Sequence, residues 1–208
     1  MTPQPVLLLH GLMMRRPALW LLARRLRRRG FAPILFDYPT LWSSPSAAME
    51  RLAMRLYALG GGPVHIVAHS LGGLIALQAC NQFQQLPTGK IVCLGSPLAG
   101  SSAARGLADK GLGWLAGRSG PLLRGGLAAL PAGRQVGMVA GVQSMGLGKY
   151  FGQLEGPNDG TVALYETELE GATDRCVLPV SHTGMWFSSQ VVEQVAAFFD
   201  HGRFEPVS

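Results

Sequence analysis

The chain has 208 residues, of which 48% are hydrophobic and only 14% charged. That length and balance suit one compact domain with a full core and exclude a disordered or fibrous chain. The formal charge of +6 raises nucleic acid or an anionic membrane as partners, but no apolar run approaches the roughly 18 residues of a membrane span.

Val6 to Leu9 is apolar, short and preceded by no basic residue. A secretory signal has its basic residues first, so this run reads as a core strand, Val6 to His10, of a cytoplasmic protein. A helix is predicted from Pro17 to Arg29 and is stopped by Gly30. Within it Leu19, Leu22 and Leu26 recur at helical spacing, which sends Arg24, Arg25, Arg27, Arg28 and Arg29 largely to the opposite side. No aromatic residues interleave with these arginines as a single-strand binding platform would require. They read as a solvated helix face that binds no nucleic acid, with weak association to a membrane surface as the alternative.

The pattern then alternates. Ala32 to Asp37 is a second strand, and Ser46 to Leu59 a helix broken by Gly60 to Pro63. Val64 to Ala68 is a third strand and Leu71 to Gln84 a helix; Ile91 to Leu94, Val136 to Ala140 and Arg175 to Leu178 are further strands. The last helix, Gln190 to Phe199, carries Val191, Val192, Val195, Phe198 and Phe199 as its apolar stripe. Strands alternating with helices, and apolar throughout, predict an α/β domain: a mostly parallel sheet of about six strands covered on both faces. Residues 98–134 break the alternation. Rich in Gly, Ala, Leu and Ser, they are a candidate cap within the single domain, with Leu98, Leu112, Trp114, Leu115 and Leu122 either lining an acyl site or covering the core. Cys80, Cys93 and Cys176 lie far apart in apolar surroundings and read as buried free thiols.

Ala68-His69-Ser70-Leu71-Gly72-Gly73 ends a predicted strand and opens a predicted helix. A serine there sits on a sharp turn that raises its hydroxyl above the sheet, and small neighbours let the two backbone segments pass. Ala68 replaces glycine at the first flanking position and stays small. Leu7-Leu8-Leu9-His10-Gly11-Leu12 ends the first strand. Such a loop supplies one backbone N–H to an oxyanion hole, and the residue after the nucleophile supplies the other. The donors are therefore Leu12 and Leu71, with Met13 as an alternative to Leu12. His10 reads as a hydrogen-bonded strand-end residue and Asp37 as a structural or pocket-rim carboxylate.

These segments, with Leu94 to Pro97, Asn158 to Val162 and Ser181-His182-Thr183, occur in an order that resembles the bacterial lipase and esterase branch of the α/β-hydrolases. In particular the chain is similar to small lipases with an A-x-S-x-G elbow and to lipase-like inositol deacylases. The resemblance implies a minimal α/β-hydrolase fold and a Ser, Asp, His order that maps onto Ser70, Asp159 and His182. Residue chemistry points the same way. A serine hydroxyl needs a base, and histidine titrates in the right range when a carboxylate fixes its tautomer. Of five histidines only His182 lies in a loop after a C-terminal strand; His69 points away from the nucleophile. For the acid, Asp159 sits in a Gly-Pro-Asn-Asp-Gly turn, with Glu155 and Asp174 as rivals. The expected activity is hydrolysis of a small-molecule carboxylic ester through an acyl-enzyme on Ser70, with no metal or organic cofactor. A thioesterase, an acyltransferase or a catalytically idle lipid- or partner-binding protein are the alternatives.

Overall fold

A computed structural model describes residues 2–83, 85–145 and 154–207. Six strands form one parallel sheet in the order β2-β1-β3-β4-β5-β6. They are β1 (Pro5–Leu9), β2 (Ala32–Phe36), β3 (His65–His69), β4 (Ile91–Leu94), β5 (Val136–Gly141) and β6 (Asp174–Leu178). The strands fall within about a residue of their predicted positions, because a strand buried on both faces writes itself as an unbroken apolar run.

The period-two alternation divides β1, β3 and β4 between two cores. Leu7 and Leu9 face one side, with Ile66, Ala68, Ile91 and Cys93. Val6 and Leu8 face the other, with Val67, Val92 and Leu94. Helices α2 (Pro45–Leu59) and α3 (Leu71–Gln82) cover the first side. Helices α1 (Trp20–Arg28) and α6 (Ser189–His201) cover the second. At nine residues α1 is too short to be stable alone. Its hold comes from Leu22 and Leu26, both fully buried and each worth about 1.5–3 kcal/mol. The outward arginines behave as a tethered surface face. Arg24 lies over the Trp20 ring, Arg25 donates to the Phe187 carbonyl, and Arg29 pairs with Glu193 of α6 at 3.1 Å.

Helix ends follow local chemistry. Ser44 caps α2 by accepting the Ala47 N–H, with Pro45 in the first turn, so α2 starts one residue earlier than predicted. Ser188 caps α6 in the same way, and Gly202 ends it at φ 74°. The predicted first helix instead divides into a 3-10 turn, Arg16–Leu19, followed by α1. Residues 98–134 form α4 (Ser102–Asp109), a 3-10 segment Gly113–Ser119 and α5 (Gly120–Gly125). Leu98, Ala116 and Leu123 of this stretch are buried in the first core, and Leu122 packs against it. Leu98 therefore covers the core rather than lining an acyl site, whereas Trp114 is largely exposed. The three cysteines are free and buried. Burial pushes the Cys93 thiol up to about 12 and Cys176 to about 11. No helix among the described residues is long and apolar enough to cross a membrane.

Candidate active site

Strand order reverses around β1: the chain goes from β1 to one neighbour, β2, and then back across to the other, β3. In an open parallel sheet the crevice forms beyond the carboxyl ends of the strands at such a switch point. Leu9 at the end of β1 pairs with Ala68 near the end of β3. This register places the loop after β1 beside the turn after β3, and both carry candidate residues.

Ser70 has φ 55° and ψ −124°, a conformation costly for a residue with a Cβ. Its N–H donates to the Leu94 carbonyl at 2.9 Å, which ties the turn to β4. The neighbouring glycines are dictated by close approach. A Cβ on Gly72 would lie 2.9 Å from the His10 carbonyl oxygen, and one on Gly73 would lie 2.2 Å from Ser96 Oγ. A Cβ on Gly11 would meet that of Ser70 at 2.9 Å. The strand-to-helix elbow expected from the sequence is present, and Ser70 stands half-buried at its tip.

His182 and Asp159 meet at the ends of β5 and β6. His182 Nδ1–H donates to Asp159 Oδ2 at 2.7 Å, and the His182 backbone N–H donates to the Asp159 carbonyl at 2.9 Å. Asp159 is almost wholly buried, and its Oδ1 accepts the N–H groups of Thr161 and Val162 at 2.9 and 2.7 Å. Three donors on a buried carboxylate fix its direction. The rival acids are elsewhere. Glu155 is exposed, and Asp174 accepts the N–H groups of Arg175 and Phe204. With Nδ1 committed to Asp159, Nε2 is the nitrogen of His182 left to exchange a proton.

His69 links this pair to the elbow. Its ring centroid is 4.5 Å from that of His182, and Nε2–H donates to the His182 carbonyl at 3.0 Å. Burial, then the nearby His182, holds His69 well below the usual histidine range, so it stays neutral. It buttresses the His182 backbone through that hydrogen bond.

On the other side, the Met13 N–H donates to Thr40 Oγ1 at 3.0 Å, and Met13 sits at φ 57°. That hydrogen bond occupies the alternative oxyanion donor. Leu71 is the first residue of α3, where backbone N–H groups have no partner within the helix. His10 is fully buried: Nε2–H donates to Asp37 Oδ1 at 2.9 Å, the ring stacks on Tyr38, and the Tyr38 hydroxyl donates to the His10 carbonyl at 2.7 Å. It braces the loop, and Asp37 is both its partner and part of a cavity wall.

Sequence reasoning missed two contributors. A Cβ on Gly95 would lie 2.9 Å from Asp159 Oδ2 and 3.1 Å from His182 Nδ1, and Gly95 has φ +53°, so the Asp–His pair requires glycine there. Glu166 is wholly buried and accepts N–H groups from Ala163 and Ser102, joining the segment after Asp159 to α4. Gly95 had a legible signal in the Leu94-Gly95-Ser96-Pro97 run; Glu166 had none. Among the described residues no group of three or more His, Cys, Asp and Glu side chains is placed to hold a metal ion.

A parallel sheet with a sharp strand-to-helix turn at a serine after β3 and an Asp–His pair beyond β5 and β6 is the arrangement of the α/β-hydrolase class. The chain belongs to the alpha/beta hydrolase family, whose pattern it matches over residues 6–198. No curated protein sequence matches it. Among solved structures it is similar to the lipase BlEst2 of Bacillus licheniformis, at 21% identity and a TM-score of 0.77 over 96% of this chain and 91% of that one. A pyrethroid hydrolase from Sphingobium faniae JZ-2 is similar at 15% identity and a TM-score of 0.63, over 96% and 98% of the two chains. The metagenomic carboxyl esterase MGS0156 is similar at 17% identity and a TM-score of 0.69, over 87% and 65%. At such identities the likeness is one of fold.

Proposed function

We propose that the protein hydrolyses carboxylic esters through an acyl-enzyme on Ser70, with Asp159 and His182 completing a triad. Ser70 Oγ attacks the acyl carbonyl while His182 Nε2 takes its proton and then returns it to the departing alcohol. Asp159 holds the ring through Nδ1 and stabilises its cation. Water resolves the acyl-enzyme with His182 again as base. The Leu12 and Leu71 amides receive the oxyanion, each worth about 3 kcal/mol in the transition state. Residues 98–134 serve as a small fixed cap beside this crevice. The supporting observation is a serine held at φ 55° on the same sheet edge as a histidine whose Nδ1 is bound by a buried carboxylate at 2.7 Å. The names of the structural neighbours, a lipase and a carboxyl esterase among them, agree with ester chemistry on this fold.

A fluorophosphonate probe with p-nitrophenyl butyrate tests the reading. The wild-type chain is expected to label at Ser70 and to turn over the ester. Ser70→Ala is expected to stay folded, take no label and lose several powers of ten in kcat. A folded Ser70→Ala protein that retains wild-type turnover overturns the assignment.

A further inference from the structure

A cavity of about 270 Å³ opens beside the oxyanion loop, walled by Met13, Arg15, Asp37, Thr40, Trp42 and Arg51 among others. We infer that it is a subsite for an anionic group, a carboxylate or phosphate, carried by the ester substrate; this rests on the proposed ester hydrolysis at Ser70.

Position supplies the first argument. Met13 follows the proposed donor Leu12, and its N–H is pinned to Thr40 Oγ1, so one cavity wall is continuous with the oxyanion loop. A substrate whose carbonyl oxygen rests on the Leu12 amide is thereby held one residue along the loop from a wall of this cavity. The far wall is fixed as well. The Thr40 carbonyl accepts the Ser119 hydroxyl at 3.2 Å, and the Leu41 carbonyl accepts the Arg118 N–H at 3.3 Å. A Cβ on Gly117 would sit 2.5 Å from the Leu41 carbonyl oxygen, so this seam is closed backbone to backbone.

Charge supplies the second. Arg15 reaches the cavity from the oxyanion loop and Arg51 from α2; among the described residues neither forms an ion pair. The one carboxylate in the wall, Asp37, is hydrogen-bonded to the buried His10 ring. Two arginines converge on one pocket whose other walls include Met13 and Trp42. Guanidinium groups pair with carboxylate and phosphate oxygens in a fixed fork geometry, and the methionine and tryptophan suit a short apolar spacer before the anion. Both arginines are solvent-exposed, so each pairing is modest, about a three- to fivefold effect, and is screened by salt.

Two matched pairs of esters test this. On the acyl side the probes are p-nitrophenyl butyrate and the p-nitrophenyl monoester of succinate. On the alcohol side they are the acetyl esters of 4-hydroxybenzamide and 4-hydroxybenzoate. The reading is the ratio of kcat/KM for the anionic over the neutral ester, in which any general loss of activity cancels. In at least one pair the ratio is expected to exceed unity by about tenfold at low ionic strength and to fade near about 1 M salt, where the Debye length is about 3 Å. It is expected to fall about three- to fivefold in Arg15→Gln and in Arg51→Gln, and further in the double variant. The pair that responds tells whether the anion belongs to the acyl or the alcohol part. Ratios at or below unity in both pairs, or a preference that survives the double variant, overturn the subsite. If no ester is turned over, ester hydrolysis fails on its own. Calorimetric titration of Ser70→Ala with the succinate monoester then still decides the subsite: heat that disappears with both arginines supports it, and no binding rejects it.

Discussion

At Asp159 a single side chain does two jobs that ask for different atoms. Oδ1 closes its own turn through Thr161 and Val162, and Oδ2 orients His182. Asp159→Asn keeps an oxygen for the turn but presents an amide N–H₂ group where the histidine needs an acceptor. The ring then adopts the wrong tautomer, with Nε2 protonated and unable to take the serine proton. The expected result is a folded protein with kcat reduced by about three to four powers of ten. Glu155→Gln, on an exposed turn residue, is expected to change kcat by less than about twofold. Steady-state kinetics on one p-nitrophenyl ester, with circular dichroism as the folding control, separates the two. A silent Glu155→Gln beside an active Asp159→Asn reverses the assignment of the acid.

The loop between β1 and α1 shows how an element can be set by a partner distant in sequence. Met13 holds a left-handed φ of 57°, and Thr40, 27 residues on, accepts its N–H. Thr40→Val is nearly isosteric but leaves that N–H without its acceptor, so the loop loses the restraint behind Leu12. Because removal of one oxyanion donor costs about 10²–10³ in kcat, a misplaced donor is expected to cost about tenfold, with KM little changed. Thr40→Ser is expected to restore the rate. A Thr40→Val enzyme with unchanged kcat removes Thr40 from the support of this loop. The same loop explains what the sequence could and could not reveal. The turn at Ser70 and the short apolar strands were legible because their signals are local: apolar runs, and small residues flanking a serine between strand and helix. Thr40 and Glu166, and the role of Gly95 if not its motif, act across the sheet edge, where pairing depends on which loops the strand order brings together. Gly95 is required because Asp159 and His182 close around it, and neither is near it in the chain. Residues 98–134 were hard to read for the opposite reason: their glycine-rich turns carry little periodicity, and tertiary contacts at Leu98, Ala116 and Leu123 decide where they sit.

At the scale of the whole molecule, two buried histidines tie stability to pH. His65 lies on β3, where Nε2–H donates to Gln4 at 2.7 Å, Nδ1 accepts the Lys90 N–H at 3.0 Å, and the ring stacks on Phe199. Burial and then the Lys90 charge lower its pKa to about 4; Asp200 opposes them more weakly. An unfolded histidine titrates near about 6.5. Above that pH both states are neutral at this site and it contributes no pH dependence. Between about 6.5 and 4 the unfolded chain binds the proton and the folded chain refuses it, so stability falls as pH falls. Below about 4 both states are protonated and the loss at this site is complete. His69 acts in the same direction, since burial holds it neutral too. His65 lines an open cavity, so solvent screens part of its penalty, and its share is about 1–2 kcal/mol rather than the full linkage value. That corresponds to several degrees in Tm for a chain of this size. Thermal melts of wild type and His65→Gln between pH 8 and pH 4 isolate it, because the carboxylates that also titrate in acid are common to both proteins. The variant is expected to lose less Tm between about pH 6.5 and 4 than the wild type does, whatever its stability at neutral pH. Parallel curves would mean that His65 takes up its proton as readily in the folded protein as in the unfolded chain, and the acid sensitivity would then belong to other groups.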